Sequence, residues 1–548
     1  MADAPARSES EMPARAAGGL AIAAAIVAFG FIGSRLLGVL RTVVIANAFG
    51  SSPELDAYNI AFRVPDLIFQ VLAGATLGSA FIPVFARLYR REGEAEAWRL
   101  ASRVLNIVTV ATAALCAVAF VLAPVLVPML APGLGEDIGR RDELMDEAVE
   151  LTRIMLLSPL LFAVSGIITG ILNGRQRFFL PALSPMLYNL AIIFGAVFLA
   201  DEWGVKGLAV GVVIGAGLHL AIQVPGLFRE RMRYEPGFGW GDAAVREVAR
   251  LMGPRVVGLA AAQVNFVITG FFASKVGSAA ISNLTYAWLL AGLPLALFGM
   301  ALSTAAFPRL ADQAADEDMQ SLTATISRVL RVIMFLTVPA ALGLAILREP
   351  ATVVLLERGE FLRGDSLITA AALGWYCMGI VPQAGIEIHS RGFYALGDTK
   401  TPVVLAVIAV AFNLSLSAAL WQRFETEGLA FSVSTAAWLE WGLLYWLYTR
   451  RTGADAAGDL RAIATIAVCG GVMALVLAAG FAPFELEGWS DHLVVGLAGA
   501  VAGGAIYAGM ANLLGVAELR EAASRLRGSW GEALSRQQSR TDAAIPSG

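Results

Sequence analysis

The 548-residue sequence has little charge: Lys, Arg, Asp and Glu together make up only 15% of it, whereas hydrophobic residues make up 57%. A soluble globular protein uses roughly 25% charged residues. The shortage is also uneven, because long stretches carry no charge while Arg, Asp and Glu gather in short clusters. This pattern excludes a soluble enzyme and is typical of a protein with many membrane-spanning helices.

Cysteine and histidine are also scarce, with three residues of each. Cys116, Cys377 and Cys469 are far apart in apolar stretches, which argues against a disulfide framework and a metal cage. The sequence has no HExxH, GxxxxGK[ST] or GxSxG motif. We therefore predict a transporter rather than an enzyme, with no catalytic residue, no metal site, no cofactor and no nucleic-acid partner.

Fourteen stretches approach the 20 or so apolar residues that a transmembrane helix needs. They centre near 20–47, 58–86, 102–130, 150–172, 180–200, 205–228, 252–273, 280–308, 325–347, 367–389, 402–421, 428–449, 460–481 and 491–514. An even number of spans puts both termini on one side. Of the 40 Lys and Arg residues, 27 fall on that side, 8 on the other and 5 within or at the ends of spans. The positive-inside rule therefore predicts cytoplasmic termini.

An internal repeat organises these spans. Residues 172–189 and 396–413 align without a gap at an offset of 224, each beginning with Leu and ending with Asn; Gly207-Leu208-Ala209 matches Gly428-Leu429-Ala430 at an offset of 221. We predict an all-α polytopic fold of two six-helix lobes, 17–230 and 245–450, in parallel repeat. Two further helices follow at 458–515, and the polar tails 1–16 and 516–548 are predicted to be disordered and cytoplasmic.

Two arginines lie in the second half of the first span. A charge at bilayer depth costs several kcal/mol unless it faces a wet cavity or a partner. Arg35 and Arg41 are six residues apart, about 600° around a helix, so they do not share one narrow stripe. One interpretation is that they line a central cavity and attract an anionic group. The alternative is that they reach a headgroup layer or brace a helix bend.

Further polar residues lie in the second and seventh spans. Asp56 and Arg63 are seven residues apart, and therefore on one helix face. A local salt bridge of Arg63 with Asp56 or Asp66 is the alternative to a role in the cavity. Gln263 and Asn265 are expected to support the site, with interhelical hydrogen bonds as the main interpretation.

Several short motifs carry a family resemblance. The most specific is RGFYALGDTKTP at 391–402; SRLLG at 34–38 with Arg41, DAY at 56–58, FRVP at 62–65 and ERG at 357–359 accompany it. Over about residues 20–515 the chain resembles the MurJ/MviN lipid II flippases, the mouse virulence factor branch of the MOP exporter superfamily. The resemblance implies movement of the undecaprenyl-pyrophosphate-linked peptidoglycan precursor from the inner to the outer leaflet of the bacterial cell membrane, by alternating access of two lobes, for cell-wall synthesis.

The resemblance also implies roles for particular residues. Arg35, Arg41 and Arg63 match basic positions that meet the substrate pyrophosphate, and Asp56 matches an acidic position with a gating role. The last two helices, within 458–515, are expected to form a groove for the lipid tail. Expected partners are the lipid-linked precursor, membrane lipids and the cell-wall synthesis machinery, and the expected functional unit is a monomer.

The chain departs from the family at some positions. Leu289 stands in the eighth span where many relatives carry arginine, Gly292 replaces a nearby acidic or amide residue, and Phe69 replaces a further arginine of some members. Two alternatives therefore stay open. One is a paralogous transporter of another polyprenyl-linked glycan, and the other is a membrane scaffold that binds the precursor without moving it.

Overall fold

The computed structural model describes residues 14–71, 80–230, 232–481 and 486–520. Within these ranges the secondary structure is helical and contains no strand. The chain forms two compact units. The N-terminal unit runs to Ser282 and also includes Arg358–Leu362, while the C-terminal unit comprises Asn283–Glu357 and the chain from Arg363 onward. The predicted disordered tails lie almost entirely outside the described ranges.

The N-terminal unit is built from helices of very different lengths. They are α1 Ala14–Phe49, α2 Pro53–Phe69, α3 Ile82–Arg91, α4 Glu94–Leu130, α5 Arg141–Met155, α6 Leu157–Gly174, α7 Phe179–Phe194, α8 Ala200–Trp203, α9 Val205–Ala221, α10 Val224–Arg229 and α11 Ala243–Val276. A π-helical segment, Gly195–Leu199, joins α7 to α8. Helix α12, Ala280–Pro294, begins in this unit and continues into the next.

The C-terminal unit continues from α12 through a π-helical segment, Leu295–Met300. Its further helices are α13 Ala301–Ala315, α14 Met319–Ile346, α15 Arg348–Leu356, α16 Arg363–Ala395, α17 Lys400–Thr452, α18 Ala456–Phe481 and α19 Trp489–Leu513. Helix α17 contains a kink at Glu425, whose φ of 46° is not helical. The two spans predicted at 402–421 and 428–449 lie on either side of that kink.

Eleven helical segments in the described part of the chain are long and apolar enough to cross a membrane. The predicted spans at 402–421 and 428–449 both fall within one of these segments, Lys400–Thr452, which consists of two helices joined at the non-helical residue Glu425. The predicted spans at 58–86 and 252–273 are not among the eleven. Residues 72–79 of the first and the side chains of 253–262 in the second lie outside the described part. The predicted fold class, an all-α polytopic membrane protein, is confirmed.

The surface of α4 shows why this fold requires a membrane. Val118, Val121, Val125 and Met129 are all exposed on this helix. Exposing so continuous an apolar face to water is unfavourable and is rare in soluble proteins. In a membrane, the same face contacts lipid acyl chains instead. The opposite side of α4, which includes Cys116, Ala119 and Val127, is buried.

Each unit has its own apolar core. In the N-terminal unit, Phe81, Phe85 and Trp98 pack together, and the ring centroids of Phe85 and Trp98 are 5.8 Å apart. In the C-terminal unit, Trp441 and Tyr448 lie in a core that extends to α18 and α19. Compactness places α11 in the N-terminal unit. The lobe bounds that the repeat predicts stay predictions, because compactness does not measure repeat symmetry.

The segment 358–362 packs with the N-terminal unit although α15 and α16 flank it in sequence. The amide of Glu360 donates to the carbonyl of Asn47 near the end of α1, at 3.0 Å. Gly359 has a φ of +57°, and a β-carbon there would lie 2.3 Å from the same carbonyl oxygen. Only glycine allows both this backbone conformation and this close approach.

Candidate functional site

Arg35 and Arg41, both in the second half of α1, have different surroundings. Arg35 is exposed, and its Cζ lies 5.3 Å from the centre of the Phe31 ring one turn earlier. Arg41 is half-buried, and its charge acts on the hydroxyl groups of Tyr58 in α2 and Tyr188 in α7. Their spacing of six residues separates them around the helix, as the sequence predicts. Arg41 is therefore the arginine of α1 that lies among groups from other helices.

Arg63 of α2 is held against an aromatic ring. Its Cζ lies 5.1 Å from the centre of the Phe266 ring in α11, a geometry that provides a cation–π interaction. Its charge also acts on Asp66, whose carboxylate accepts a hydrogen bond from Gln70 Nε2 at 2.9 Å. Asp66 is thus the acid that Arg63 influences, whereas Asp56 has a different partner.

Asp56 caps a helix that lies more than 220 residues further along the chain. Its side chain is buried, and Oδ1 accepts hydrogen bonds from the backbone amide of Ser282, at 2.7 Å, and from the Ser282 hydroxyl. Asn59, one turn later in α2, donates to the same hydroxyl at 3.1 Å. Ser282 is in the first turn of α12, where backbone amides have no intrahelical acceptor. The Asp56 carboxylate satisfies one of them and complements the positive end of the helix dipole.

Gln263 and Asn265 lie on α11, close in sequence to the aromatic partner of Arg63. Gln263 is buried and Asn265 is half-buried. The hydroxyl of Thr269 donates to the Asn265 carbonyl at 3.0 Å, which satisfies that carbonyl within the helix. Both polar residues therefore lie on the helix that contributes Phe266, and their assignment as supporting residues stays a prediction.

An apolar groove of about 530 Å³ opens in the C-terminal unit. Pro339 and Gly343 of α14 form one wall, and Gly496 and Gly503 of α19 form part of another. Helices α15 and α18 complete it through residues such as Val354 and Met473. The sequence predicts a lipid-tail groove from residues 458–515, which supply α18 and α19. It missed α14 and α15, because nothing local in their sequences distinguishes a groove wall from ordinary packing.

Two departures from the family pattern are apolar residues in packed surroundings. Phe69 packs on Phe162, with ring centroids 4.9 Å apart. Leu289 is half-buried next to Trp288, whose ring meets that of Tyr376 edge-on at 5.3 Å. A β-carbon at Gly292 would meet no atom within 4 Å, so that position faces open space. Among the residues with described positions, no cluster of three His, Cys, Asp or Glu side chains could hold a metal ion.

A salt-bridge cluster, called a tie below, joins two segments at the predicted inner end of the N-terminal unit. The sequence analysis did not predict its ion pairs. Glu230 follows α10 and accepts from Arg175 Nε and Arg177 Nε, both at 2.8 Å. Its side chain is only 6% exposed. Burial would raise the pKa of Glu230, but the hydrogen bonds from the two guanidinium groups outweigh this and lower the pKa.

The C-terminal unit has a corresponding tie. Asp398, in the loop between α16 and α17, accepts from the backbone amides of Lys400 and Thr401 and from the Thr401 hydroxyl. It also pairs with Arg451 near the end of α17. Burial acts to raise the pKa of Asp398, but the hydrogen bonds from Thr401 and Arg451 prevail and lower it to about 2. Arg451 and Glu230 occupy equivalent positions at the repeat offset of 221.

Comparison with known proteins identifies relatives over most of the chain. The family model described as lipid II flippase MurJ matches residues 45–498. A protein of Burkholderia cenocepacia named lipid II flippase MurJ is 31% identical over 426 residues, which cover 77% of this chain and 82% of the relative. A probable lipid II flippase MurJ of Rickettsia prowazekii is 27% identical over 497 residues, covering 90% and 96% respectively.

Solved structures show the same similarity in three dimensions. A lipid II flippase MurJ in an inward closed conformation superposes with a TM-score of 0.76 at 25% identity, covering 89% of this chain and 98% of the other. A multidrug resistance MATE family transporter of the MOP superfamily, in an inward-facing conformation, gives a TM-score of 0.63 at 16% identity, covering 77% and 95%. The second similarity concerns the fold alone.

Proposed function

The chain belongs to the lipid II flippase MurJ family, and from that premise we propose that it moves lipid II across the bacterial cell membrane. The direction proposed is from the inner to the outer leaflet, by alternating access of two lobes, with both termini in the cytoplasm. The cargo then supplies peptidoglycan synthesis on the outer side. The proposal includes the cell-wall synthesis machinery as a partner and a monomer as the functional unit.

The observation that carries the proposal is a half-buried arginine at bilayer depth. Arg41 lies within a membrane-spanning helix, and its charge acts on tyrosines from two other helices. Keeping a guanidinium there costs several kcal/mol unless an anion or water compensates it. A pyrophosphate is a suitable partner, because a guanidinium can donate two parallel hydrogen bonds to it. Arg63 and Arg35 are proposed to complete the basic surface that receives the pyrophosphate.

Asp56 is proposed to close the outer end of the transport path. Its carboxylate joins α2 to the first turn of α12 through Ser282, and its Oδ2 has no hydrogen-bond partner in the described part of the chain. Gln263 and Asn265 are proposed to support the neighbouring part of the path on α11.

The groove of the C-terminal unit is proposed to receive the lipid tail. It is lined almost entirely by apolar side chains and glycines, so a polyprenyl chain could lie in it without leaving polar groups unsatisfied. In this proposal, the arginines bind the charged head of the cargo and the apolar groove binds its tail.

Complementation tests this proposal directly. A bacterial host is depleted of its own flippase, the chain is expressed, and lipid II exposure at the outer leaflet is measured with membrane insertion verified. We expect rescue by the native chain and loss of rescue with Arg41→Ala. Arg41→Lys keeps the charge but not the bidentate geometry, and should rescue partially. Arg423→Ala, at an exposed arginine two residues before the kink of α17, is the matched control and should rescue fully.

The outcomes separate the alternatives. Full growth with both Arg35→Ala and Arg41→Ala would remove the assignment of these residues to the pyrophosphate. Failure of the inserted native chain to expose lipid II would favour transport of another polyprenyl-linked glycan or a scaffold role. These alternatives stay open because Leu289 and Phe69 are apolar residues at positions where relatives carry arginine.

Closure by Asp56 needs a conformational readout. A cysteine introduced as Asn265→Cys, in a background without the native cysteines, reports access of an impermeant maleimide from the outer side. We expect Asp56→Ala to increase the labelling rate at least tenfold. Ser282→Ala keeps the backbone amide that Asp56 accepts from and should change the rate little. Equal rates in all three proteins would contradict the closing role.

A further inference from the structure

A second cavity, of about 590 Å³, lies at the predicted inner end of the N-terminal unit. Arg35, Arg41 and Arg63 do not line it, and the proposed function does not use it. Its apolar surface includes Leu172, Phe179 and Leu180, and its polar surface includes Arg177, Arg229 and Glu230. An apolar floor with a basic rim suits a ligand that has an acyl chain and an anionic headgroup.

The charges around this cavity do not balance. Glu230 is the acid of the group and already binds both Arg175 and Arg177. Arg175 is further held over the Tyr89 ring, 4.0 Å from its centre. Arg177 gives only its Nε to Glu230, and its side chain remains 71% exposed. With Arg229, which is also exposed, the rim carries an excess of positive charge.

The apolar side of the cavity continues onto the surface of the unit. Phe179, the first residue of α7, is exposed, and so is Phe228 in α10. Exposed aromatic side chains next to arginines are typical of the interface between headgroups and acyl chains. A soluble anion would use the arginines alone, whereas a phospholipid would use both the arginines and this apolar surface.

We infer that this cavity binds an anionic phospholipid of the inner leaflet. The headgroup phosphate would lie between Arg177 and Arg229, and one acyl chain would run along Phe179 and Leu180. The inner leaflet is rich in anionic lipids, and each basic residue near its surface contributes about 1 kcal/mol of attraction. The inference stands apart from the proposed function, since it concerns a resident lipid rather than the cargo.

The repeat supplies a matched control within the same chain. Arg450 occupies the position equivalent to Arg229 at the offset of 221. Its Cζ lies 4.3 Å from the centre of the Trp446 ring, so its charge is directed to an aromatic partner. Arg450→Gln therefore removes the same charge from the same helix position in the other unit, without touching the cavity.

Native mass spectrometry of the purified full-length chain can count bound phosphatidylglycerol as it is titrated in. We expect Arg177→Gln combined with Arg229→Gln to weaken binding of the first lipid about thirtyfold, because two surface charges are lost. Arg229→Gln alone leaves the tie of Glu230 with Arg175 and Arg177 intact, and should weaken binding about fivefold. Arg450→Gln should leave it unchanged, and Lys at both cavity positions should retain most of it.

Two further arms identify the source of the phosphate. Neutral phosphatidylcholine should bind equally well to the native chain and to the double variant. Millimolar inorganic phosphate should not displace phosphatidylglycerol from the native chain. Displacement by inorganic phosphate would mean a free-anion site and overturn the lipid assignment. Equal binding by the native chain and the folded Arg229→Gln variant, or an equal loss with Arg450→Gln, would overturn the site itself.

Discussion

The N-terminal and C-terminal units each contain one tie between a loop and a helix end, and the charges of the loop and the helix end are reversed between the two units. In the N-terminal unit, the loop after α6 supplies two arginines and the end of α10 supplies the acid Glu230. In the C-terminal unit, the loop after α16 supplies the acid Asp398 and the end of α17 supplies Arg451. The repeat aligns the loops at an offset of 224 and the helix ends at 221.

The two ties also differ in burial. The side chain of the acid is 6% exposed at Glu230 and 15% exposed at Asp398, whereas the arginine partners Arg177 and Arg451 are 71% and 53% exposed. Asp398 also accepts hydrogen bonds from Thr401 in the first turn of α17, whereas Glu230 accepts none from the start of a helix in the described part of the chain. The two ties thus lie at positions that the predicted repeat aligns, but the acid and the arginine have exchanged places between them. We therefore expect the contribution of each tie to the free energy of unfolding to depend on the burial of its residues rather than on their position in the repeat.

The largest expected effect is that of Glu230→Gln. It leaves Arg175 and Arg177 without their shared counter-ion, and the loss of two charge-assisted hydrogen bonds should cost about 2–3 kcal/mol of unfolding free energy. Thermal unfolding in detergent measures the loss. Glu235→Gln is the matched control, because Glu235 pairs with Arg99 at an exposed site of the same unit. Equal losses of unfolding free energy in Glu230→Gln and Glu235→Gln would contradict the expected dependence on burial.

Asp398→Ala should have the next largest effect. It removes a side-chain cap from the start of α17 and the ion pair with Arg451, and the lost cap alone typically costs about 1 kcal/mol. We expect about 1–2 kcal/mol in all, with Asp398→Asn between the variant and the native chain. The same unfolding measurement checks this, and a loss above that of Glu230→Gln would reverse the comparison.

The pH dependence sharpens the assignment to Asp398. Its pKa is lowered to about 2 in the folded chain, so its carboxylate stabilises the fold at any pH above the ordinary aspartate pKa of about 4. That contribution is lost as the pH falls from about 4 towards about 2. The difference in unfolding temperature between the native chain and Asp398→Ala should therefore shrink over this range. A constant difference would indicate packing rather than charge.

Arg451→Gln should have the smallest effect. The arginine is half-exposed, and exposed ion pairs typically contribute between about 0.2 and 1 kcal/mol. The Asp398 cap on α17 remains in this variant. Raising the salt concentration should remove most of the difference from the native chain, and a loss that is large or independent of salt would contradict this interpretation.

Much of the fold could be predicted from the sequence, because lipid-facing surfaces and spans depend on local composition. Two spans were predicted on either side of Glu425, and the backbone leaves the helical conformation at that residue. The candidate site was predicted in part. Arg41 and Arg63 are conspicuous because a charge in an apolar run is rare, whereas Glu230 and Asp398 lie in charged loops where no local signal reveals the partner.

The membrane class, the helical fold and the family follow from residue type, spacing and motif, and these are properties of the sequence alone. The packing of the helices adds that Asp56 caps α12, that 358–362 pack with the N-terminal unit, and that α14 and α15 complete the apolar groove. These contacts join segments far apart in the chain. Their existence depends on how whole helices pack, and hydrophobic patterns along one helix do not encode the choice of partner.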